Sequence, residues 1–501
     1  MLLQHLKQNK NEHLANGVLI FLVGIIFGLS FFTVNSARGT DQFWYLSDTE
    51  TLVNGSDNHS NLTMPGVVLR QNQGSPATPF YHNGPLLYLN AYISKITGLD
   101  AFTIWKINNI LFSLLAALMT SLLVAEVSNR NFHLYSLSLF LLSPLNVWLS
   151  VNLLQETFYA FLFSIQVYIA TRCRESRILF PILLFSLLFG AYSHPFFKLM
   201  TLATCGIYFL HNHYYKSLAI LAIFMTVLLT KEQFFPTSFP PDLQSLIAYS
   251  IPGQSNSLWH QSDQILSVTP ELLFQKFNSA IEAQLNDIKV PLLSLITYLS
   301  IPAFLVLVYN KKIESTTFLW IYFIAFGLYS GIVLLLQFQV RYQQIIAPAS
   351  VAVVSIALVT FFEKNSKTIA IAILLSFFAI DLKLVSTAST DGLKFSQSSQ
   401  KFQDFVRRFP KDYRVAFIND KQLGRYSHLV RSSKPRQTMV IGTNWLSDEG
   451  FKKAIELFKP NLLIYSESSL NFISTGEKSP SELSTFHKVG KLYYLDLGKE
   501  I

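Results

Sequence analysis

The stretch FFTVNSARGTDQFWYLSDTETLVNG, residues 31–55, marks the point where an apolar run gives way to a polar loop. The apolar run occupies residues 17–34, close to the ~20 residues that a helix needs to cross a bilayer. Asp41 follows it, and Tyr45 comes four residues later, so a helix here would carry the carboxylate and the phenol on one face. A carboxylate is costly against lipid and useful in a wet cavity. The stretch therefore predicts a membrane span that opens onto a polar site, although a residue that merely ends the helix fits the same position.

Similar apolar runs recur along most of the chain. Of its 501 residues, 50% are hydrophobic and 14% are charged, whereas about 25% of the residues of a soluble domain are charged. The sequence therefore predicts a polytopic α-helical membrane protein with about eleven transmembrane helices, rather than a soluble protein with one anchor. The predicted spans are residues 17–34, 104–124, 133–149, 153–171, 178–193, 196–211, 217–231, 291–309, 316–337, 344–362 and 368–385.

Lysine and arginine residues in short loops indicate the cytoplasmic side of a membrane protein. They occur in the loops TRCRESR (171–177), NKK (310–312) and EKNSK (363–367). This distribution predicts a multi-pass protein of the inner (plasma) membrane with a cytoplasmic N-terminus. Two long loops, 36–103 and 232–290, then lie on the outer side.

The chain divides into two predicted domains. Residues 1–385 form the transmembrane domain and carry both outer loops. Residues 386–501 alternate between strand and helix patterns, which predicts a small α/β domain in the periplasm or outside the cell.

Ionisable residues cluster near the outer ends of several predicted spans. Glu156 lies about one turn inside the fourth span, and intramembrane charges of this kind are functional by default. His194 and Lys198 occupy the turn between the fifth and sixth spans, where they suit a phosphate, or for His194 a metal, as well as a plain interfacial turn. Arg341 and Tyr342 precede the tenth span. The planar guanidinium of Arg341 suits a phosphate because it donates two hydrogen bonds at once.

The first outer loop carries a recognisable combination of motifs. Asp41 and Tyr45 follow the first span, LVNG comes at 52–55, and GPLLY comes at 84–88. This arrangement resembles the GT-C membrane glycosyltransferases, with the closest pattern in the protein O-mannosyltransferase and aminoarabinose transferase branch. The resemblance implies a GT-C-like fold and the transfer of a sugar from a polyprenyl-phosphate donor to a lipid, glycan or protein acceptor on the outer face.

The resemblance also implies roles for individual residues. Asp41 would be the catalytic base of an inverting single displacement, and Glu156 a second acidic group. Tyr45, His82 and Asn83 would face the substrate cavity. The positive groups named above would bind the departing phosphate.

Two positions depart from the pattern of the family. Gln42 follows Asp41 where many members have Glu, and Trp44 takes the place of a basic residue. The phosphate contacts must then come from elsewhere, or the donor differs. No cofactor is assigned; a divalent cation, Mg²⁺ or Mn²⁺, held between Asp41 and Glu156 is a hypothesis.

Other functions use similar architectures. A transporter or flippase of lipid-linked saccharides would place charges or broken helices near the membrane midplane, often in related halves, and no repeat is evident. A polymerase or ligase of surface polysaccharide and a non-catalytic relative are further alternatives. Membrane lipids are expected partners, and no nucleic acid partner is predicted.

Overall fold

The structure, a computed structural model, consists mainly of helices. It describes residues 10–34, 40–54, 62–63, 84–128, 132–172, 179–234, 270–271, 274, 278, 292–310, 316–335, 340–362, 365–406, 408–410, 412–418, 438–441, 455–466, 487–489 and 492–496. In chain order its elements are α1 (Lys10–Thr33), α2 (Thr40–Val53), β1 (Leu62–Thr63), α3 (Pro85–Thr97), α4 (Ala101–Ser128), α5 (His133–Leu141), α6 (Pro144–Val151), α7 (Glu156–Thr171), α8 (Leu179–Ser193), α9 (Pro195–Leu210), α10 (Tyr214–Phe234), α11 (Leu295–Tyr309), α12 (Thr316–Leu335), a 3₁₀ turn (Val340–Tyr342), α13 (Gln343–Phe362), α14 (Ser366–Val406), β2 (Val415–Ile418), β3 (Thr438–Ile441), β4 (Leu462–Ser466), β5 (His487–Val489) and β6 (Leu492–Asp496).

The chain forms two compact units. Unit 1 comprises residues 1–35, 105–231 and 277–390, and unit 2 comprises residues 36–104, 232–276 and 391–501. This division differs from the one predicted from the sequence, because the first outer loop belongs to the same unit as the C-terminal segment. The helix predicted around Asp41 is present as α2, in unit 2.

The helices fall at the predicted spans. Among the described residues, five helices are long and apolar enough to cross a membrane, and the bent pair α5 and α6 makes a sixth if counted as one span. Four shorter apolar helices lie within α8, α9, α11 and α12. Helix α7, of 16 residues, occupies the place of the fourth predicted span. The prediction of a polytopic helical membrane protein is confirmed, and the number of eleven spans stays a prediction.

Helices α7 and α13 lie at the centre of unit 1. Most residues of α7 and all residues of α13 up to Val359 are buried, as expected for helices that are apolar on all sides. The two helices pack against each other, and α11 packs against α13. The N-terminal ends of α7 and α13 carry Glu156 and the segment Arg341–Tyr342, so the core of the unit positions the candidate site.

The third predicted span is two helices rather than one. Helices α5 and α6 are bent by 50° at the break between them. Pro144 is the first residue of α6 and has no N–H with which to continue the hydrogen bonding of α5.

Unit 2 contains a mixed six-stranded sheet in the order β1-β3-β2-β4-β6-β5. Strands β1 to β4 pair in parallel, whereas β6 and β5 are antiparallel additions. Strands β2, β3, β4 and the β5–β6 pair form at the runs with strand patterns, whereas β1 comes from the first outer loop and was not predicted. Helices α2 and α3 also belong to this unit and pack together.

Candidate active site

An ion pair joins the N-terminal ends of the two central helices. The Nε atom of Arg341 lies 3.2 Å from Oε1 of Glu156, and the side chains are only 13% and 2% exposed, respectively. A buried carboxylate is strongly unfavourable unless a cation and hydrogen bonds compensate for the lost water. The pair therefore allows two charges to sit at the ends of membrane helices.

The turn before α7 explains how Glu156 reaches this position. Leu153 has a φ of 50°, in the left-handed region that non-glycine residues rarely adopt. Strain of about 1–3 kcal/mol at such a residue persists only where the surrounding structure imposes it. Here it allows α7 to begin at Glu156 soon after α6 ends at Val151. Glu156 also occupies the first turn of α7, where the positive end of the helix dipole favours a carboxylate.

Tyr342 supports the guanidinium of Arg341. The Cζ atom of Arg341 lies 5.1 Å from the centre of the Tyr342 ring, and Nη2 lies 3.4 Å from the phenolic oxygen. A guanidinium stacked on an aromatic ring is held in one orientation. The 3₁₀ turn that contains both residues leads directly into α13.

His194 joins the same cluster from the start of α9. Its ring centre lies 5.7 Å from that of Tyr342 and 5.2 Å from that of Tyr159. Its Nδ1 atom accepts a hydrogen bond of 3.1 Å from the backbone N–H of Phe196 and so caps α9. Because Nδ1 acts as the acceptor, the neutral ring carries its proton on Nε2. His194 therefore presents a donor nitrogen beside the two tyrosine rings.

The structure thus brings together four residues that were predicted separately: Glu156, His194, Arg341 and Tyr342. Lys198 is half-buried one turn after His194 on α9. Tyr159 was missed, although it follows Glu156 by three residues on one face of a helix. Tyr159 is fully packed and its hydroxyl donates to Ser193 O at 3.4 Å.

Asp41 and Tyr45 lie on α2 in unit 2, four residues apart as predicted. Tyr45 is buried, and the side chain of Asp41 is outside the described residues. Asp48 was missed although it lies seven residues after Asp41, which places it near the same face of the helix. It is completely buried. Predicted His82 and Asn83 also lie outside the described residues.

Lys106 secures the end of α1. Its Nζ atom donates to the carbonyl oxygen of Val34 at 2.6 Å and to that of Phe31, and it lies 5.0 Å from the centre of the Phe31 ring. The last carbonyls of a helix have no partner within the helix, and a cation there also faces the negative end of its dipole. Lys106 therefore fixes the part of the chain that leads towards Asp41.

Asp381 is a second ionisable residue inside a candidate span. It lies in the stripe of buried residues on α14, spaced three or four apart, that consists of Ser366, Ala370, Leu374, Phe377, Asp381, Val385 and Ala388. The side chain is completely buried, so it faces protein rather than lipid. Lys106 and Asp381 both lie within predicted spans, 104–124 and 368–385, and neither was singled out from the sequence.

The described residues contain no group of three or more His, Cys, Asp or Glu side chains that would hold a metal ion. Glu156, the predicted partner in the cation hypothesis, has Arg341 beside it. The hypothesis of a divalent cation stays untested.

The fold is similar to those of two solved proteins, ArnT and an oligosaccharyltransferase, and this likeness agrees with the GT-C resemblance of the motifs in the first loop. It is similar to ArnT from Cupriavidus metallidurans, at 9% identity, both in the apo state (TM-score 0.57, covering 96% of this chain and 98% of that one) and bound to undecaprenyl phosphate (TM-score 0.59, covering 95% and 97%). It is also similar to the Archaeoglobus fulgidus oligosaccharyltransferase in complex with Zn and sulfate, at 11% identity (TM-score 0.53, covering 96% of this chain and 73% of that one). No protein-family model and no curated protein matches the sequence.

Proposed function

We propose that the protein is a glycosyltransferase that moves a sugar from a polyprenyl-phosphate donor to an acceptor on the outer face of the membrane. The observation that carries the proposal is the cluster of Arg341, Tyr342, Glu156 and His194 at the starts of α7, α9 and α13. In a membrane protein of the GT-C fold, such a cluster is suited to bind an anion.

The electrostatics of the cluster favour a phosphate. Each helix N-terminus is equivalent to roughly half a positive charge, and its N–H groups are a ready site for anions. Here three N-termini meet at Glu156, His194 and Tyr342. Arg341 adds one positive charge, and the negative charge of Glu156 offsets it. ArnT, which shares the fold, has been crystallised with undecaprenyl phosphate, and this supports the same class of donor here.

The chemistry is an inverting single displacement. The acceptor hydroxyl or amine attacks the anomeric carbon while the bond from that carbon to the phosphate oxygen breaks. The polyprenyl phosphate leaves with the electron pair, and Arg341 stabilises its charge. Asp41 receives the proton of the acceptor. In this proposal His194 and Lys198 add donors to the phosphate, and Tyr45, His82 and Asn83 contact the substrate.

Asp48, a second carboxylate on α2, is the alternative candidate for the catalytic base. Its side chain is completely buried, which fits a purely structural group as well as a base. Asp41→Asn and Asp48→Asn therefore form a matched pair, because each removes one carboxylate from the same helix with little change of shape.

A divalent cation is a further part of the proposal to be tested. The oligosaccharyltransferase that shares the fold was crystallised with Zn. A cation at Glu156 would compete with Arg341, which already lies against that carboxylate. Transfer measured in EDTA, and again after adding Mg²⁺ or Mn²⁺, tests this point: full transfer in EDTA removes the cation from the mechanism.

The decisive experiment is transfer of radiolabelled sugar from polyprenyl-phosphate donors to a membrane extract. We expect wild-type protein to transfer the sugar, Asp41→Asn to lose transfer by a factor of about 100 or more, and Asp48→Asn to retain most of it. If only Asp48→Asn loses sugar transfer, the base is Asp48 rather than Asp41. If folded wild-type protein transfers no donor, the transporter and non-catalytic readings replace the enzyme.

A further inference from the structure

Asn146 is the centre of a buried polar network in unit 1. It lies in the first turn of α6 and is completely buried. Its Oδ1 atom accepts hydrogen bonds from Nε2 of Gln344 at 2.8 Å and from Oγ of Ser113 at 3.1 Å. Its Nδ2 atom donates to the carbonyl oxygen of Leu141 at 3.1 Å. One amide side chain therefore joins α4, α5 and α13.

The break between α5 and α6 explains the need for an amide. Pro144 interrupts the helical hydrogen bonds, and a backbone carbonyl inside a membrane has no water to replace them. Asn146 supplies the donor for Leu141 O, just before the break, and Oγ of Ser143 donates to Phe140 O at 2.8 Å. The side chain of Asn146 thus donates to a carbonyl at the bend and accepts hydrogen bonds from the two neighbouring helices.

The network also connects the two segments that carry the ion pair. Gln344 is in the first turn of α13, three residues after Arg341. On the other side, α6 continues through the strained turn at Leu153 to Glu156. The bond between Asn146 and Gln344 is thus a direct link between the chain that leads to Glu156 and the chain that follows Arg341.

We infer that Asn146 is a positioning residue that sets the distance between Arg341 and Glu156 by holding the first turn of α13. It contacts neither of them. The effect of Asn146 on binding of the polyprenyl-phosphate donor rests on the proposed function, whereas its effect on the position of α13 does not. Losing this network releases the start of α13, and the guanidinium then no longer sits in one orientation at the site.

The test compares Asn146→Leu with Gln166→Leu. Gln166 is a matched control because it is also a completely buried amide, and its Nε2 donates to Ser186 O at 3.2 Å between α7 and α8, ten residues beyond Glu156. The first measurement is hydrogen–deuterium exchange of the peptide covering residues 340–346. We expect exchange to accelerate about tenfold in Asn146→Leu, which corresponds to one lost hydrogen bond, and to stay within about twofold in Gln166→Leu.

The second measurement is the dissociation constant for undecaprenyl phosphate. Asn146→Leu is expected to raise it about tenfold, with Gln166→Leu unchanged. Gln344→Leu, which removes the same hydrogen bond from the other side and keeps the donor to Leu141 O, is expected to raise the constant by a similar factor. Equal exchange in Asn146→Leu and wild type, or an equal effect of the control, overturns the positioning role. Accelerated exchange in a protein that binds no polyprenyl phosphate at all would instead contradict the proposed function and leave the link to α13 established.

Discussion

Replacing Arg341 by Met gives the sharpest test of the buried ion pair. The change keeps an unbranched side chain and removes the guanidinium 3.2 Å from Glu156, whose side chain is 2% exposed. Removing one partner of a buried pair costs about 3–5 kcal/mol, because the other charge stays in a medium that solvates it poorly. We expect Arg341→Met to lower the free energy of unfolding by an amount in this range.

The double variant Glu156→Gln/Arg341→Met separates stability from function. Replacing both members of a buried pair with neutral groups of similar volume is often close to neutral for stability. We therefore expect the double variant to recover at least about 2 kcal/mol relative to Arg341→Met, an interaction energy of the size that double-mutant cycles detect between contacting residues. Sugar transfer should stay lost in both variants, because neither has a guanidinium for the phosphate.

Unfolding of purified protein in mixed detergent micelles, followed by tryptophan fluorescence against increasing SDS, measures these differences for wild type, both single variants and the double variant. Lys216→Met, which removes a cation 5.6 Å from two aromatic ring centres in unit 1, is the control for loss of a charge away from Glu156. Additive effects of the two single variants would refute the reasoning. Normal sugar transfer by Arg341→Met would exclude Arg341 as the residue that binds the phosphate.

Three further predictions concern residues around this pair. His194→Asn keeps a side-chain acceptor for Phe196 N–H, so this variant should lose sugar transfer with little loss of stability. His194→Ala should lose transfer and also about 1 kcal/mol of the free energy of unfolding. Equal transfer by His194→Asn and wild type would show that the imidazole has no role in the site. Lys106→Met should destabilise the protein by about 1–3 kcal/mol, because the carbonyls at the end of α1 lose their donor, and unfolding in SDS checks this; an unchanged midpoint would contradict the capping role. Asp381→Asn should raise the free energy of unfolding by about 1 kcal/mol, because a buried carboxylate becomes a neutral amide, and a lowered midpoint would show that its charge stabilises the fold.

Apolar length was sufficient to predict most of the membrane architecture. Runs of about 16–20 apolar residues can only be buried or span lipid, so the positions of α1, α4 and α14 follow from composition. The bend between α5 and α6 was not predicted, because the apolar length of a run does not register a single helix-breaking residue such as Pro144. Periodicity shows where a helix is and carries little information about where its neighbours lie.

Part of the candidate site was also predictable from the sequence. Chemistry singled out Glu156 and Arg341, each by its own position at the end of a span, and no local pattern could pair them because they belong to distant segments. Asp48 and Asp381 were missed for a different reason. A carboxylate in a polar loop or near the end of a span resembles an ordinary surface charge, and only tertiary packing shows that these two are buried.

Strand β1 has a consequence for the order in which the protein assembles. Its residues, Leu62 and Thr63, pair with Thr438 and Met439 of β3, so an early part of the first outer loop has its partner near the end of the chain. During synthesis that pairing must wait until every intervening helix has been inserted, since contacts so distant in sequence form late. Until then β1 has no sheet to join, and the sheet of unit 2 is completed only after β3 and the strands that follow it have been synthesised.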